Sequence, residues 1–304
     1  MCLNRLRQKG KRRMTRWFLV LFFAFAAPAQ AAGPVPVVAS FSIIGDIVTQ
    51  IGGDAVKVTT LVGPDADAHA HQPSPEDAKA LAQAKLVFVN GLGFEGWMAR
   101  LIEASGSKAV VVTVSEGITP RRMTADGATA IDPHAWQNLA NGRIYARNIA
   151  AALERAVPAA AAAIAQRATA YDAALAAQDA ATRAALAAIP AARRKVVTSH
   201  DAFGYFGDAY GVTFLAPVGI DTEAEPSAQG IAQLISQIKS EGVKRLFVEN
   251  MANGKLIAQI AKDTGATLGG ALYSDALSAP DGPAASYRAM FENNVAQLTA
   301  AMRL

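Results

Sequence analysis

Short apolar runs alternate with segments of helical period along most of the chain. The run 35–40, VPVVAS, is continuous rather than alternating, as expected of a strand buried on both faces. It is followed by SIIGDIVTQIGG, 42–53, with its apolar positions three and four apart. The same pairing recurs: a strand at 55–62, a helix at 74–84, a strand at 85–90, a helix at 94–105 and a strand at 109–115. At 74–84 the start signal is explicit. Ser74 can cap, Pro75 suits the first helical position, and Asp77 lies three residues after Ser74. The second half repeats the plan. Strands are predicted at 195–200, 212–219, 245–250 and 266–273, and helices at 201–211, 227–242, 254–265 and 284–302. Strands alternating with helices of this length predict an α/β protein with mostly parallel sheets flanked by helices.

Between the halves lies PAAAAAIAQRATAYDAALAAQDAATRAALAAI, 158–189. It contains no glycine, and its single proline stands at the first position, where a helix tolerates it. Alanine is the best helix former, so one helix of about 30 residues is predicted, about 45 Å long. The expected organisation is therefore two similar lobes joined by one long backbone helix: 1–31 a leader, 32–157 the first lobe, 158–189 the linking helix, and 190–304 the second lobe.

The leader changes the meaning of the composition. Residues 1–31 carry seven Lys+Arg and no acid, then the apolar run WFLVLFFAFAAP, then the small-x-small site AQA. That is the layout of a secretory signal peptide, too short for a membrane span. Translation starting at Met14 would leave an equally complete signal. Taking these seven from 29 leaves 22 Lys+Arg against 25 Asp+Glu, so the exported chain has a net charge of −3 instead of the +4 of the whole. A nucleic-acid partner loses its support. The only cysteine, Cys2, departs with the leader. Cysteine catalysis, iron–sulfur clusters and thiolate zinc sites are excluded for the exported chain, which is expected to carry no lipid anchor and to be periplasmic.

Four histidines remain: His69 and His71 in VGPDADAHAHQPSPEDAK, His134 in IDPHAW and His200 in VVTSHDAF. His69 and His71 follow the strand 55–62, His200 ends a strand, and Asp275 follows the last predicted strand. In open α/β lobes, ligands collect at these C-terminal strand ends. Three imidazoles and one carboxylate would suit Zn²⁺, whereas manganese favours more oxygen. The spacings match no short zinc motif. From the residues alone, one metal site and four scattered loop histidines stand as equal readings.

The stretches VVASFSIIGDIVTQIGGD, VGPDADAHAHQPSPEDAKALAQAKLVFVNGLGFEGWM, DPHAWQN, VTSHDAFGYFGDAYG and GIDTEAEPSAQGIAQLISQIK occur in order. Together they resemble the metal-specific solute-binding proteins of bacterial ABC importers, the zinc/manganese cluster. The resemblance implies two lobes with a metal between them and delivery to an ABC membrane permease. It places the metal ligands at His69, His134, His200 and Asp275. Histidine at position 200, where manganese-type members usually carry glutamate, implies Zn²⁺ as the one bound ion. Gln72 stands where the family usually shows an acid, and the histidine-rich loop many zinc members carry before the DPH motif is missing from 117–134. A periplasmic zinc metallochaperone is a conceivable second partner, and a monomer is expected.

The remaining residues divide between packing and support. His71 is expected to be a solvated loop histidine, and Trp97 and Trp136 to pack beneath the cleft. Glu249 and Asp201 are candidates to hold an imidazole N–H. Three rival functions carry less: a zinc hydrolase, which lacks HExxH and GxSxG; a surface adhesin of the same fold; and a carrier of manganese or iron.

Overall fold

The computed structural model describes residues 33–125, 128–219, 222 and 226–303. The predicted signal peptide, 1–31, lies outside the described residues. The first lobe runs β1 (Val35–Phe41), α1 (Ser42–Gly52), β2 (Val56–Val62), α2 (Pro75–Gln83), β3 (Leu86–Val89), α3 (Met98–Ser105) and β4 (Val110–Thr113). Its sheet has the order β2-β1-β3-β4, and every pairing is parallel. Phe41 pairs with Val62 and Val38 with Val87, which brings the C-terminal ends of these strands to one edge of the lobe.

Next come a two-stranded antiparallel hairpin, β5 (Arg122–Ala125) and β6 (Ala128–Ile131), and the helix α4 (Leu139–Ala156). The linking helix is α5 (Ala161–Ala187), preceded by one tighter turn at Pro158–Ala160. The second lobe runs β7 (Lys195–Val197), α6 (Gly204–Tyr210), β8 (Thr213–Leu215), α7 (Ala228–Glu241), β9 (Arg245–Leu246), α8 (Lys255–Thr264), β10 (Thr267–Leu268) and α9 (Tyr287–Arg303). Its sheet order, β10-β9-β7-β8, repeats the first when read from the other edge, again all parallel. In each lobe the chain moves from the first strand to one side and then to the other, so each has a switch point beside its first strand.

Local chemistry explains the elements. β1 is buried from Val37 to Phe41, as its continuous apolar run requires. α2 begins with a full capping box: Ser74 accepts from the Asp77 backbone N–H, and the Asp77 carboxylate accepts from the Ser74 backbone N–H. α7 is capped by Ser227 and stopped by Gly242 in the left-handed region, at φ 65°. Helix α3 starts four residues later than its apolar pattern predicts, because 92–97 makes tight turns instead. The strands of the second lobe are also shorter than their apolar runs. The sequence pattern missed the β5–β6 hairpin altogether, although Asp126–Gly127 is a strong turn signal.

α5 works as a strut between the lobes. Its buried side chains are Ile164, Tyr171, Leu175, Thr182 and Leu186, one stripe of an alanine-rich helix. Near its start, Arg167 donates to the free carbonyls of Ile51 and Gly52 at the end of α1, both at 2.7 Å. Towards its end, Arg183 donates to the Ala209 carbonyl in α6 at 2.6 Å. One hydrophobic core runs through the first lobe and α5 and on into the second lobe at Phe203, Phe206, Phe247, Leu272 and Phe291. A smaller core seals α7 and α8 onto the second sheet, with Val197, Leu246, Ile238 and Ile260.

Candidate metal centre

The cleft between the lobes gathers four distant loops. His69 follows β2, His134 follows the hairpin, His200 makes a parallel bridge to Val218 just beyond β7, and Asp275 lies just past the Glu249–Leu272 bridge. One ligand atom from each lies within 4.8 Å of every other. His69 Nε2 and His134 Nε2 are 3.2 Å apart. Asp275 Oδ2 stands 3.0 Å from His200 Nε2 and 3.4 Å from His69 Nε2, and Oδ1 stands 3.6 Å from His134 Nε2. The edges of a tetrahedron drawn about an ion with bonds of about 2.0–2.1 Å are about 3.3 Å long, so these separations fit one small cation.

Burial sharpens the point. His134 and Asp275 are fully buried, and His200 is 2% exposed. Among the described residues the Asp275 oxygens have no partner other than these imidazole nitrogens. A buried carboxylate is costly unless a cation meets it, either an imidazolium or a metal ion. Here three imidazole nitrogens face it, and two of them are set as lone-pair donors. Asp132, itself fully buried, takes the Nδ1–H of His134 at 2.8 Å and its backbone N–H at 3.0 Å. Glu249 lies 2.6 Å from His200 Nδ1. A carboxylate only accepts, so both Nδ1 atoms carry a proton, and both Nε2 atoms are turned to the centre, where a lone pair would meet an ion.

Glu249 is the hub of the support. Its Oε1 also accepts the backbone N–H of Ser199 at 2.8 Å and of His200 at 2.9 Å, and its Oε2 accepts the Ser274 hydroxyl at 2.5 Å. The Ser274 carbonyl in turn accepts from Trp136 Nε1 at 2.8 Å and Gln137 Nε2 at 2.7 Å. The loops of His134, His200 and Asp275 are thus wired through two residues. The His69 loop is fixed separately: Asp67 Oδ1 accepts the His69 backbone N–H at 2.9 Å, and Trp97 Nε1 donates to the Ala68 carbonyl at 2.9 Å. Both tryptophans therefore hold ligand loops. Phe94 packs edge-on to His69 and to Trp136, and Trp136 edge-on to His134, with Phe41 tilted against both Phe94 and Trp136, giving the site an aromatic wall.

Sequence reading singled out Glu249 and Asp201 as imidazole partners. Glu249 has that place at His200, but at His134 it belongs to Asp132 rather than to Asp201. The signal was a carboxylate two residues before the histidine of DPH. Ser274 and Gln137 carried no sequence signal. His71 lies apart from the cluster. It is not simply solvated: its Nε2 sits 3.2 Å from Asp77 Oδ2, in the α2 capping box, and its ring packs edge-on against Trp97.

Residues 37–301 match the family described as zinc-uptake complex component A, periplasmic. The chain belongs to this family. It is a periplasmic metal-binding protein of the cluster A-I type, the non-catalytic component that delivers a divalent metal ion to an ABC permease. Family members with the same architecture differ in the metal their names carry. The manganese-binding lipoprotein MntA of Bacillus subtilis is 32% identical over 298 residues, 93% of this chain and 97% of that protein. The iron-binding protein YfeA of Yersinia pestis is 34% identical over 271 residues, 88% of this chain and 86% of that protein. The solved structure of the periplasmic zinc-binding protein TroA from Treponema pallidum superposes with a TM-score of 0.84 at 29% identity, covering 89% of this chain and 99% of that one. The buried three-histidine, one-aspartate site is the metal-binding feature of this family member.

The charges at the site give metal binding a defined pH dependence. In the metal-free protein, burial would lower the His200 pKa, but Glu249 and Asp275 together lift it well above its usual value. Burial would raise that of Asp275, but His200 and His134 hold it well below the usual carboxylate range. A metal ion bound through His200 Nε2 would have to displace a proton that this raised pKa favours, so binding is expected to weaken as pH falls. Below the raised pKa, affinity is expected to fall about tenfold per pH unit. Calorimetric titration in buffers of different ionisation enthalpy should show about one proton released per ion near neutrality. The metal-free fold behaves oppositely. The His200 contribution to its stability is full below the unfolded-state pKa and disappears as pH rises through the raised one. The Asp275 contribution is lost only as pH falls through its lowered value.

Proposed function

We propose that the protein captures Zn²⁺ in preference to Mn²⁺ or Fe²⁺, with His69, His134, His200 and Asp275 as the four ligands, and carries one ion per chain to its permease. The observation that supports this reading is the donor set: three imidazole nitrogens and one carboxylate gathered within 4.8 Å of one another in a largely buried site. Nitrogen-rich sites of this kind rank Zn²⁺ above Fe²⁺ and Mn²⁺. The short separations leave little room for the larger, oxygen-rich shell that Mn²⁺ favours. We take 32–157 and 190–304 as the two lobes and 158–189 as the strut, and the protein as a monomer. Loading by a periplasmic zinc metallochaperone would compensate for the missing histidine-rich loop.

Competition decides the metal. Protein purified from the periplasm should carry one Zn²⁺, and a titration at equal free Zn²⁺ and Mn²⁺ should retain Zn²⁺. Retention of Mn²⁺ under those conditions would overturn the zinc assignment while leaving the site itself in place.

A further inference from the structure

One guanidinium links the metal site to the contact between the lobes. Fully buried Asp132 faces two ways. Its Oδ1 accepts from His134, and its Oδ2 accepts from Arg121 Nη1 at 3.2 Å. The same guanidinium donates from Nε to Asp208, on α6 in the opposite lobe, at 3.0 Å. The Arg121 backbone N–H donates to the Tyr205 hydroxyl, also on α6, at 2.7 Å. The packing is close because α6 opens on Gly204. A Cβ there would stand 2.4 Å from Arg121 Nη1 and 2.6 Å from Asp132 Oδ2. Glycine thus lets the second lobe back directly onto the ion pair that orients a metal ligand.

We propose that Arg121 is a positioning residue for metal binding, holding the Asp132–His134 pair in its ligand-ready form through contacts that exist only while α6 lies against the hairpin. The inference rests on the reading that His134 is a ligand. The planar guanidinium offers donors on two edges, so it holds the Asp132 carboxylate from the side away from His134 while reaching Asp208. A carboxylate held in that place accepts from Nδ1 and aims Nε2 of His134 at the centre. Asp208 and Tyr205 anchor the guanidinium and the backbone of Arg121. Moving α6 away removes both anchors at once and loosens His134 without touching the metal. Lobe separation and ligand release become one event.

The test uses the exported chain loaded with Zn²⁺, with release followed under a chelator chase. Arg121→Gln is expected to speed release about tenfold or more, the range seen when a partner behind a metal-bound histidine is lost. Arg121→Lys, which restores the charge but not the two-sided fork, should recover part of that loss. Asp208→Asn lies at a side chain 68% exposed. It should speed release several-fold and leave the melting temperature of the metal-free protein unchanged, which a purely structural role would not do. The double variant should release no faster than Arg121→Gln alone, because both changes break one path. Wild-type release rates in Arg121→Gln, or in Asp208→Asn should the first variant fail to fold, would overturn the proposal. Additive effects in the double variant would overturn it equally. A wild type that holds no Zn²⁺ would instead overturn the zinc assignment.

Discussion

Replacing Asp275 with alanine should lower zinc affinity by more than about a hundredfold, beyond the upper end of what losing an outer hydrogen-bonding partner costs. Among the described residues, Asp275 is the carboxylate whose oxygens face the three Nε2 atoms, so it is placed to supply negative charge to the proposed ion. In the proposed site it also fills the fourth position. Without it a three-histidine site remains, with water able to complete the shell. The protein should still fold, because the Asp275 oxygens face only the imidazole nitrogens among the described residues and brace no backbone. The loop it sits on is held independently. The Leu277 backbone N–H donates to Ser42 Oγ at 3.0 Å, and the Asp65 backbone N–H donates to the Leu277 carbonyl at 2.9 Å. The check is twofold: affinity by competition with a chromophoric chelator, and thermal unfolding with and without metal. Each tenfold loss in affinity removes about 1.4 kcal/mol of metal-induced stabilisation at saturating ion. A hundredfold loss should therefore cut that stabilisation by about 2.7 kcal/mol. Affinity unchanged in the variant would remove Asp275 from the ligand set.

The second large effect is expected at Glu249, which is 1% exposed and never reaches the metal position directly. Glu249→Gln keeps the shape but replaces one oxygen with an amide nitrogen. Oε1 serves two backbone N–H donors, so the amide oxygen is held there and the NH₂ faces His200 Nδ1. A donor in that place turns His200 to its other tautomer, with the proton on Nε2 and no lone pair for the ion. Affinity should fall about 10–100-fold while the fold persists. The proton count should change too. His200 loses one of the two carboxylates that lift its pKa, so proton release on binding should shrink near neutral pH. Glu249→Ala goes further. It strips the partners from Ser199, His200 and Ser274 together and should destabilise the metal-free protein by about 3 kcal/mol or more. A glutamine variant with wild-type affinity would show that the tautomer of His200 is set by something other than Glu249.

Much of the protein is legible in short stretches of sequence, because the forces there act over a few residues. Ser74, Pro75 and Asp77 announce α2 through backbone N–H groups three positions away. The alanine-rich run at 161–187 announces a helix through propensity. Alternating apolar runs and helical stripes dictate two parallel α/β sheets, and the placing of His69, His200 and Asp275 after strands follows from the same pattern. What the sequence could not decide depends on how the two sheets face each other. His69, His134, His200 and Asp275 lie 65 or more residues apart, and only the strut α5 and the shared core bring their side chains within one ion's reach. The choice of Asp132 over Asp201 for His134 turned on side-chain direction at the cleft, which periodicity does not encode. So did the capture of His71 by Asp77, and the passage of Arg121 from Asp132 to Asp208. Local propensity determined the elements and the positions of the candidate ligands. The docking of the lobes decided whether the four side chains meet at one point, and that decides whether they form a metal site.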